Sequence, residues 1–143
     1  MKYKIGYTTG VFDLFHIGHL NIIRKAKDYC EHLIVGVSSD ELVENYKKIK
    51  PIIPFEERVK IVGAIKYVDQ IVVQDNFNKI TAWEKYKFNV HFHGNDWENT
   101  DAYNNILEEL KKRGVDNIFF PYTKGTSTTN IKKYIYEVLK NQE

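Results

Sequence analysis

Tyr7-Thr8-Thr9-Gly10-Val11-Phe12-Asp13-Leu14-Phe15-His16-Ile17-Gly18-His19 is the stretch on which the fold of this chain turns. Apolar residues enter it at alternate positions (Tyr3, Ile5, Tyr7), as a strand requires, and Gly10 breaks the strand. After Gly18 the spacing becomes helical, with Leu20, Ile23 and Ala26 three apart. The stretch therefore reads as strand, glycine turn and helix start. A helix N-terminus carries unpaired N–H groups and the positive end of the dipole, which suits an anion. His16 and His19, at i and i+3, share one face there and can donate to the same phosphate. Gly18 lets backbone and ligand approach each other. By themselves, two such histidines also fit a solvated helix face or half of a zinc site.

Working outward, His32 to Ser38 is an apolar run without a polar face, as in a buried parallel strand, and Cys30 closes the helix before it. Ser39 caps a short helix to about Tyr46. Lys47, Lys48 and Lys50 follow, then Pro51 and Pro54, which forbid regular structure between them. A helix from Phe55 to about Ile65, the strand Gln70–Gln74, a helix from about Asn78 to Tyr86 and the strand Val90–His93 come next. Gly94-Asn95-Asp96-Trp97 is a turn, Thr100 or Asp101 caps a long helix, and Gly114 ends it. Asn117 to Phe120 is the fifth strand, and a hydroxyl-rich loop, Thr123 to Thr129, opens the last helix. Strands and helices alternating at this spacing predict a single α/β domain over residues 1–143. Its architecture is a doubly wound, Rossmann-like parallel sheet of about five strands with helices on both faces.

The 143 residues suffice for one real core, and a charge of +2 from 21 basic and 19 acidic side chains is too small to argue for nucleic acid or a membrane surface. One cysteine excludes an internal disulfide. Without a signal-peptide pattern or a membrane-length apolar run, the expected location is cytoplasmic.

Ligands of such sheets bind beyond the carboxyl ends of the strands, near the point where the strand order reverses. Four stretches meet that edge by this reading: Thr8 to His19, Lys47 to Arg58, Gly94 to Trp97, and Thr123 to Thr129. Arg58 and Lys66, two turns apart on one predicted helix, could reach one anion. Each feature has a plainer alternative: a solvated lysine loop, an arginine paired with Glu56 or Glu57, and a Ser/Thr run that merely caps a helix. His91 and His93 share a strand face, where packing or a substrate-side role is favoured over a metal pair.

Gly-x-Phe-Asp-x-x-His-x-Gly-His resembles the motif of the HxGH nucleotidylyltransferases. The later blocks (the lysine loop, the Arg58 helix, Gly94-Asn95-Asp96-Trp97, and Gly125-Thr126-Ser127-Thr128-Thr129) are similar, in the same order, to those of glycerol-3-phosphate cytidylyltransferases. The resemblance implies transfer of CMP from CTP to a phosphorylated alcohol, with Mg²⁺ accompanying the triphosphate, in a homodimer. It implies catalytic roles for His16, His19, Lys47 and Arg58. Nucleotide contacts are implied for Thr9, Gly10, Phe12, Asp13, His16, His19, Lys47, Lys50, Gly94, Asp96, Tyr122, Thr123, Gly125, Ser127 and Thr128. Acceptor contacts are implied for Arg58, Lys66 and Asp69. Two positions depart from the pattern: Lys66 and Tyr122 stand where the family has arginine. Tyr122 can stack on a base without reading it, which leaves selection to backbone groups near Gly94 and Gly125. Rival readings are a cytidylyltransferase for another polyol or amino-alcohol phosphate, an adenylyltransferase for a sugar phosphate or flavin mononucleotide, a non-catalytic nucleotide-binding protein, and a metal protein built on His91 and His93.

Overall fold

The computed structural model describes residues 2–94, 101–121 and 125–142. Five strands form one sheet in the order β3-β2-β1-β4-β5, and every neighbouring pair is parallel. They are β1 (Tyr3–Gly10), β2 (Cys30–Ser38), β3 (Gln70–Gln74), β4 (Val90–Gly94) and β5 (Asp116–Phe120). The helices are α1 (Ile17–Tyr29), α2 (Asp40–Lys47), α3 (Phe55–Gly63), α4 (Lys79–Tyr86), α5 (Asp101–Lys112) and α6 (Thr128–Asn141). The order reverses between β1 and β4, so a switch-point crevice opens beside the carboxyl end of β1.

The sheet separates two apolar clusters. On one face Ile23 and Ala26 of α1 and Val62 of α3 pack on Leu33, Val35, Val37, Val90 and Phe92. On the other, Tyr7 and Ile34 meet Phe88, Leu110 and Val115. From Leu33 to Val37 both faces of β2 are buried, which is why that run is apolar. Cys30 opens β2 instead of ending α1, and it is buried as a small apolar side chain. Gly114, at φ 80°, ends α5 in a Schellman turn: Val115 N–H donates to Leu110 C=O and Gly114 N–H to Lys111 C=O.

Four helix starts lie at the carboxyl edge with side-chain caps that shape it. His16, Ser39, Asn78 and Ser127 each accept a backbone N–H of the helix that follows. Pro54 precedes α3 with extended backbone and no side-chain cap. The helix stops at Gly63, so Lys66 and Asp69 belong to the return turn at the amino edge of the sheet.

Candidate active site

β1 delivers the motif to the carboxyl edge, and the chain then passes through Phe12 (φ 56°) and Leu14 (φ 50°), both in left-handed conformations. Such backbone costs about 1 kcal/mol or more in a residue with a Cβ, and it concentrates at functional sites. It delivers His16 as the N-cap of α1. The cap is reciprocal: Gly18 N–H donates to His16 Nδ1 (3.0 Å), and His16 N–H donates to His19 Nδ1 (3.2 Å). A backbone N–H can only donate, so both Nδ1 atoms are acceptors and each neutral ring carries its proton on Nε2.

The rings stack at 3.8 Å between centroids. Burial holds His16 below the ordinary histidine pKa, and burial together with the neighbouring His16 pushes His19 down to about 4. The pair is thus neutral at pH 7, with its donors fixed by the cap. His16 Nε2 lies 3.3 Å from Thr128 Oγ1, whose hydroxyl donates to Asp13 C=O (2.8 Å), which ties the start of α6 to the motif. A Cβ on residue 18 would sit 2.8 Å from His16 Cε1; the glycine makes room for the capping ring, where the sequence suggested a ligand.

Phe12 and Asp13 serve this frame rather than an open pocket. Phe12 is buried and its ring meets His19 edge-on at 5.4 Å. Asp13 is buried, with its two carboxylate oxygens accepting from Ile52 N–H (2.8 Å) and Ile53 N–H (2.9 Å), so it holds down the proline-bounded loop. Lys132 of α6 approaches the same carboxylate at 3.5 Å. Lys47 and Lys50 stand exposed on α2 and the loop beyond it; Lys50 is 4.0 Å from Glu44.

Arg58 corrects the sequence reading. It is 1% exposed. Its Nε donates to Ile53 C=O, Nη1 to the carbonyls of Val11 and Ser38, and Nη2 to Asp40 Oδ1 (2.7 Å). Four of its five N–H groups are spent on three segments of this edge, so it is a strut and not a substrate clamp. Lys66 and Asp69 are corrected too. α3 runs away from the site for about 13 Å, which carries both residues to the opposite edge. There Lys66 lies over the Tyr67 ring, and Asp69 accepts from Lys27 Nζ (2.6 Å) and Leu33 N–H (2.8 Å).

One buried residue of this edge is absent from the sequence reading. Lys79, the first residue of α4, reaches across to β1 and donates to Thr9 Oγ1 at 2.7 Å, with only 9% of its surface exposed. Desolvation pushes its pKa down to about 7. A lysine in the first turn opposes the helix dipole, a signal that gains weight only once α4 is placed against β1. Beside it lie His91 and His93, both buried on the α4–α5 face; His93 stacks on Phe119 at 4.0 Å. Among the described residues no three His, Cys, Asp or Glu side chains are grouped to hold a metal.

Gly10 and Gly94 end β1 and β4 at this edge, Gly125 adopts φ 78°, and Ser127 caps α6 by accepting from Asn130 N–H (3.0 Å). Asp96, Tyr122 and Thr123 lie outside the described residues. What meets at the switch point is a helix N-terminus with two neutral imidazole donors, a second helix N-terminus bearing Thr128, an exposed lysine loop and a buried lysine. These are the donors a polyphosphate needs, on the fold of the nucleotidyltransferases.

Comparison with known proteins agrees. Residues 7–134 match the cytidylyltransferase-like family, and the chain belongs to it. It is a nucleotidyltransferase enzyme. It is 33% identical over 137 residues to the glycerol-3-phosphate cytidylyltransferase of Staphylococcus aureus, a match covering 95% of this chain and 96% of that one. It is 31% identical over 129 residues to the bifunctional protein HldE of Hyphomonas neptunium, covering 90% of this chain but only 26% of that longer protein. Among solved structures, the lipopolysaccharide core biosynthesis protein of Thermoplasma volcanium shares the fold with a TM-score of 0.70 at 22% identity, over 87% of this chain and 99% of that one.

Proposed function

We propose that the chain transfers CMP from CTP to glycerol-3-phosphate, giving CDP-glycerol and pyrophosphate. The observation that carries this reading is the histidine capping box. It presents two imidazoles, each with Nε2–H as the donor, at a helix N-terminus. An acceptor phosphate oxygen attacks the α-phosphorus in line; the bond from that phosphorus to the bridging oxygen breaks, and pyrophosphate leaves with the electron pair. The attacking phosphate is already ionised, so no general base and no covalent enzyme intermediate are needed. The protein's work is alignment and stabilisation of charge on the crowded α-phosphate.

In this reading His16 and His19 donate to the α-phosphate, and the backbone N–H groups at the start of α6 hold the phosphates from the other side. Lys47 and Lys50 close on the triphosphate. Backbone at Gly94 and Gly125, together with Asp96, Tyr122 and Thr123, receives the nucleoside. Lys79 takes the acceptor phosphate, the role the resemblance implies for Arg58 and Lys66. Mg²⁺ enters with the triphosphate as part of the substrate, since the Asp13 carboxylate is already spent on Ile52 and Ile53. We further expect a cytoplasmic homodimer, which light scattering at micromolar concentration checks.

A grid of CTP, ATP, GTP and UTP against glycerol-3-phosphate, other polyol phosphates, phosphocholine and phosphoethanolamine, read as pyrophosphate release, tests the proposal. The largest kcat/KM is expected for CTP with glycerol-3-phosphate. Turnover with ATP alone, or with an amino-alcohol phosphate alone, contradicts it.

A further inference from the structure

Lys79 is a buried amine with no ion-pair partner among the described residues. Its only hydrogen-bond partner among the described residues is the Thr9 hydroxyl, its head lies 5.8 Å from the centre of the Tyr7 ring, and no described carboxylate is within ion-pair distance. From β1 it is faced by Tyr7 and Thr9, and from β4 by His91 and His93. Asp75, beyond the end of β3, and Lys85 and Tyr86 of its own helix line the small cavity beside it. Among the described residues, both ring nitrogens of His93, Nδ1 of His91 and Oδ1 of Asn117 are buried without a partner. A buried amine with one hydroxyl for a partner keeps donors that a group from outside can take up through the small cavity beside it.

We propose that at pH 8 Lys79 is largely uncharged in the free protein and takes up a proton as a phosphate group seats against it, so that binding of a phosphorylated substrate is coupled to pH. Only the identity of that phosphate, acceptor or nucleotide, rests on the function proposed above. An ammonium buried without a partner is costly, and the cheaper state is the neutral amine. A phosphate dianion at hydrogen-bond distance reverses the preference. The proton comes from solvent onto the amine lone pair, and no bond to phosphorus is made or broken.

The neighbours leave this change to Lys79. Burial holds His93 down at about 3 and His91 well below its ordinary value, while it pushes the Tyr7 phenol up. None of the three changes charge between pH 6 and about 9. The cationic grip therefore forms with the ligand.

Calorimetric titration at pH 8 in two buffers of different ionisation enthalpy reads the proton directly, because a phosphate monoester with its second pKa near about 6 is already a dianion there. Glycerol-3-phosphate, inorganic phosphate and CTP form separate arms. The expected result is uptake approaching one proton per bound phosphate, absent in Lys79→Arg, which binds with its charge already present. Uptake confined to glycerol-3-phosphate assigns the recess to the acceptor, and uptake confined to CTP assigns it to the triphosphate. Binding without uptake, or equal uptake in Lys79→Arg, overturns the inference. The Lys79 ε-methylene resonance in the ligand-free protein, identified by its loss in Lys79→Arg, adds a test that needs no substrate. A titration midpoint near 7 supports the inference, and a midpoint above 10 overturns it whatever the enzyme's acceptor proves to be.

Discussion

Among the described residues two basic side chains are buried at the carboxyl edge, one on each face of the sheet. Arg58, on the α1–α3 face, meets three carbonyls and a carboxylate. Lys79, on the α4–α5 face, meets one hydroxyl. The geometry of each head group decides which role it can fill. A guanidinium offers a rigid fork of five donors that the backbone can saturate, whereas an ammonium is a point charge whose pKa yields when it is buried. Burial alone does not mark a functional cation; the count of its partners does. Arg58 fixes the shape of the site, and Lys79 waits for something outside the chain.

The largest effect is expected from removing the strut. Arg58→Ala should destabilise the fold by about 3–5 kcal/mol, the range found when one partner of a buried ion pair is deleted, as read from denaturant midpoints. A variant that keeps its stability and loses only substrate affinity would make Arg58 a clamp after all and erase the contrast.

The histidine pair comes next. His19→Ala should lower kcat by about 10²- to 10³-fold, as loss of one transition-state donor does. His16→Ala should do the same and also cost about 1 kcal/mol of stability, because it removes an N-cap. His16→Asn separates the two roles, since asparagine caps but cannot reach as Nε2 does; stability should return while kcat stays low. Unchanged kcat in a folded His16→Ala protein would contradict the role given to the cap.

Lys79→Met sharpens the comparison from the other side. It should raise KM for the phosphorylated acceptor roughly tenfold or more, the worth of about 1.4 kcal/mol or a single charge-assisted contact. Thermal stability should hold or rise, because an unpaired buried amine is replaced by an apolar chain. A loss of stability as large as that of Arg58→Ala would show that the two cations do the same work.

The smallest effect is on pH dependence. His19 and His93 have folded-state pKa values of about 4 and about 3, below the ordinary 6.5. Between pH 6.5 and 4 the unfolded chain therefore binds more protons than the native one, and stability falls as pH drops through that window. His93→Phe should flatten part of this fall in a chemical-denaturation series. An unchanged profile would mean that His93 protonates freely in the native state.

The fold was legible because each signal was local and redundant. Gly10 ends β1, Ser39 and Ser127 cap helices, Gly114 closes α5, and the apolar run of β2 already says that both its faces are buried. The HxGH pair was legible for the same reason, since its geometry is set within one helical turn. Arg58 was misread because its partners, Val11, Ser38 and Asp40, come from two other loops that only the folded edge brings together. Lys66 was paired with Arg58 because helical spacing was extended past Gly63 without asking which way α3 runs, and Asp69 came with the resemblance alone. Lys79 was missed because a lone lysine carries no pattern; its dipole-opposed position becomes informative once α4 is placed against β1.

Bond formation between an acceptor phosphate oxygen and the α-phosphorus of CTP is best tested with glycerol-3-phosphate carrying ¹⁸O on its phosphate, analysed by mass spectrometry of both products. The expected outcome is CDP-glycerol that retains every label, one of them in the bridge between the two phosphorus atoms, together with unlabelled pyrophosphate. Label appearing in the inorganic product, or labelled glycerol-3-phosphate recovered without any CDP-glycerol, would contradict it.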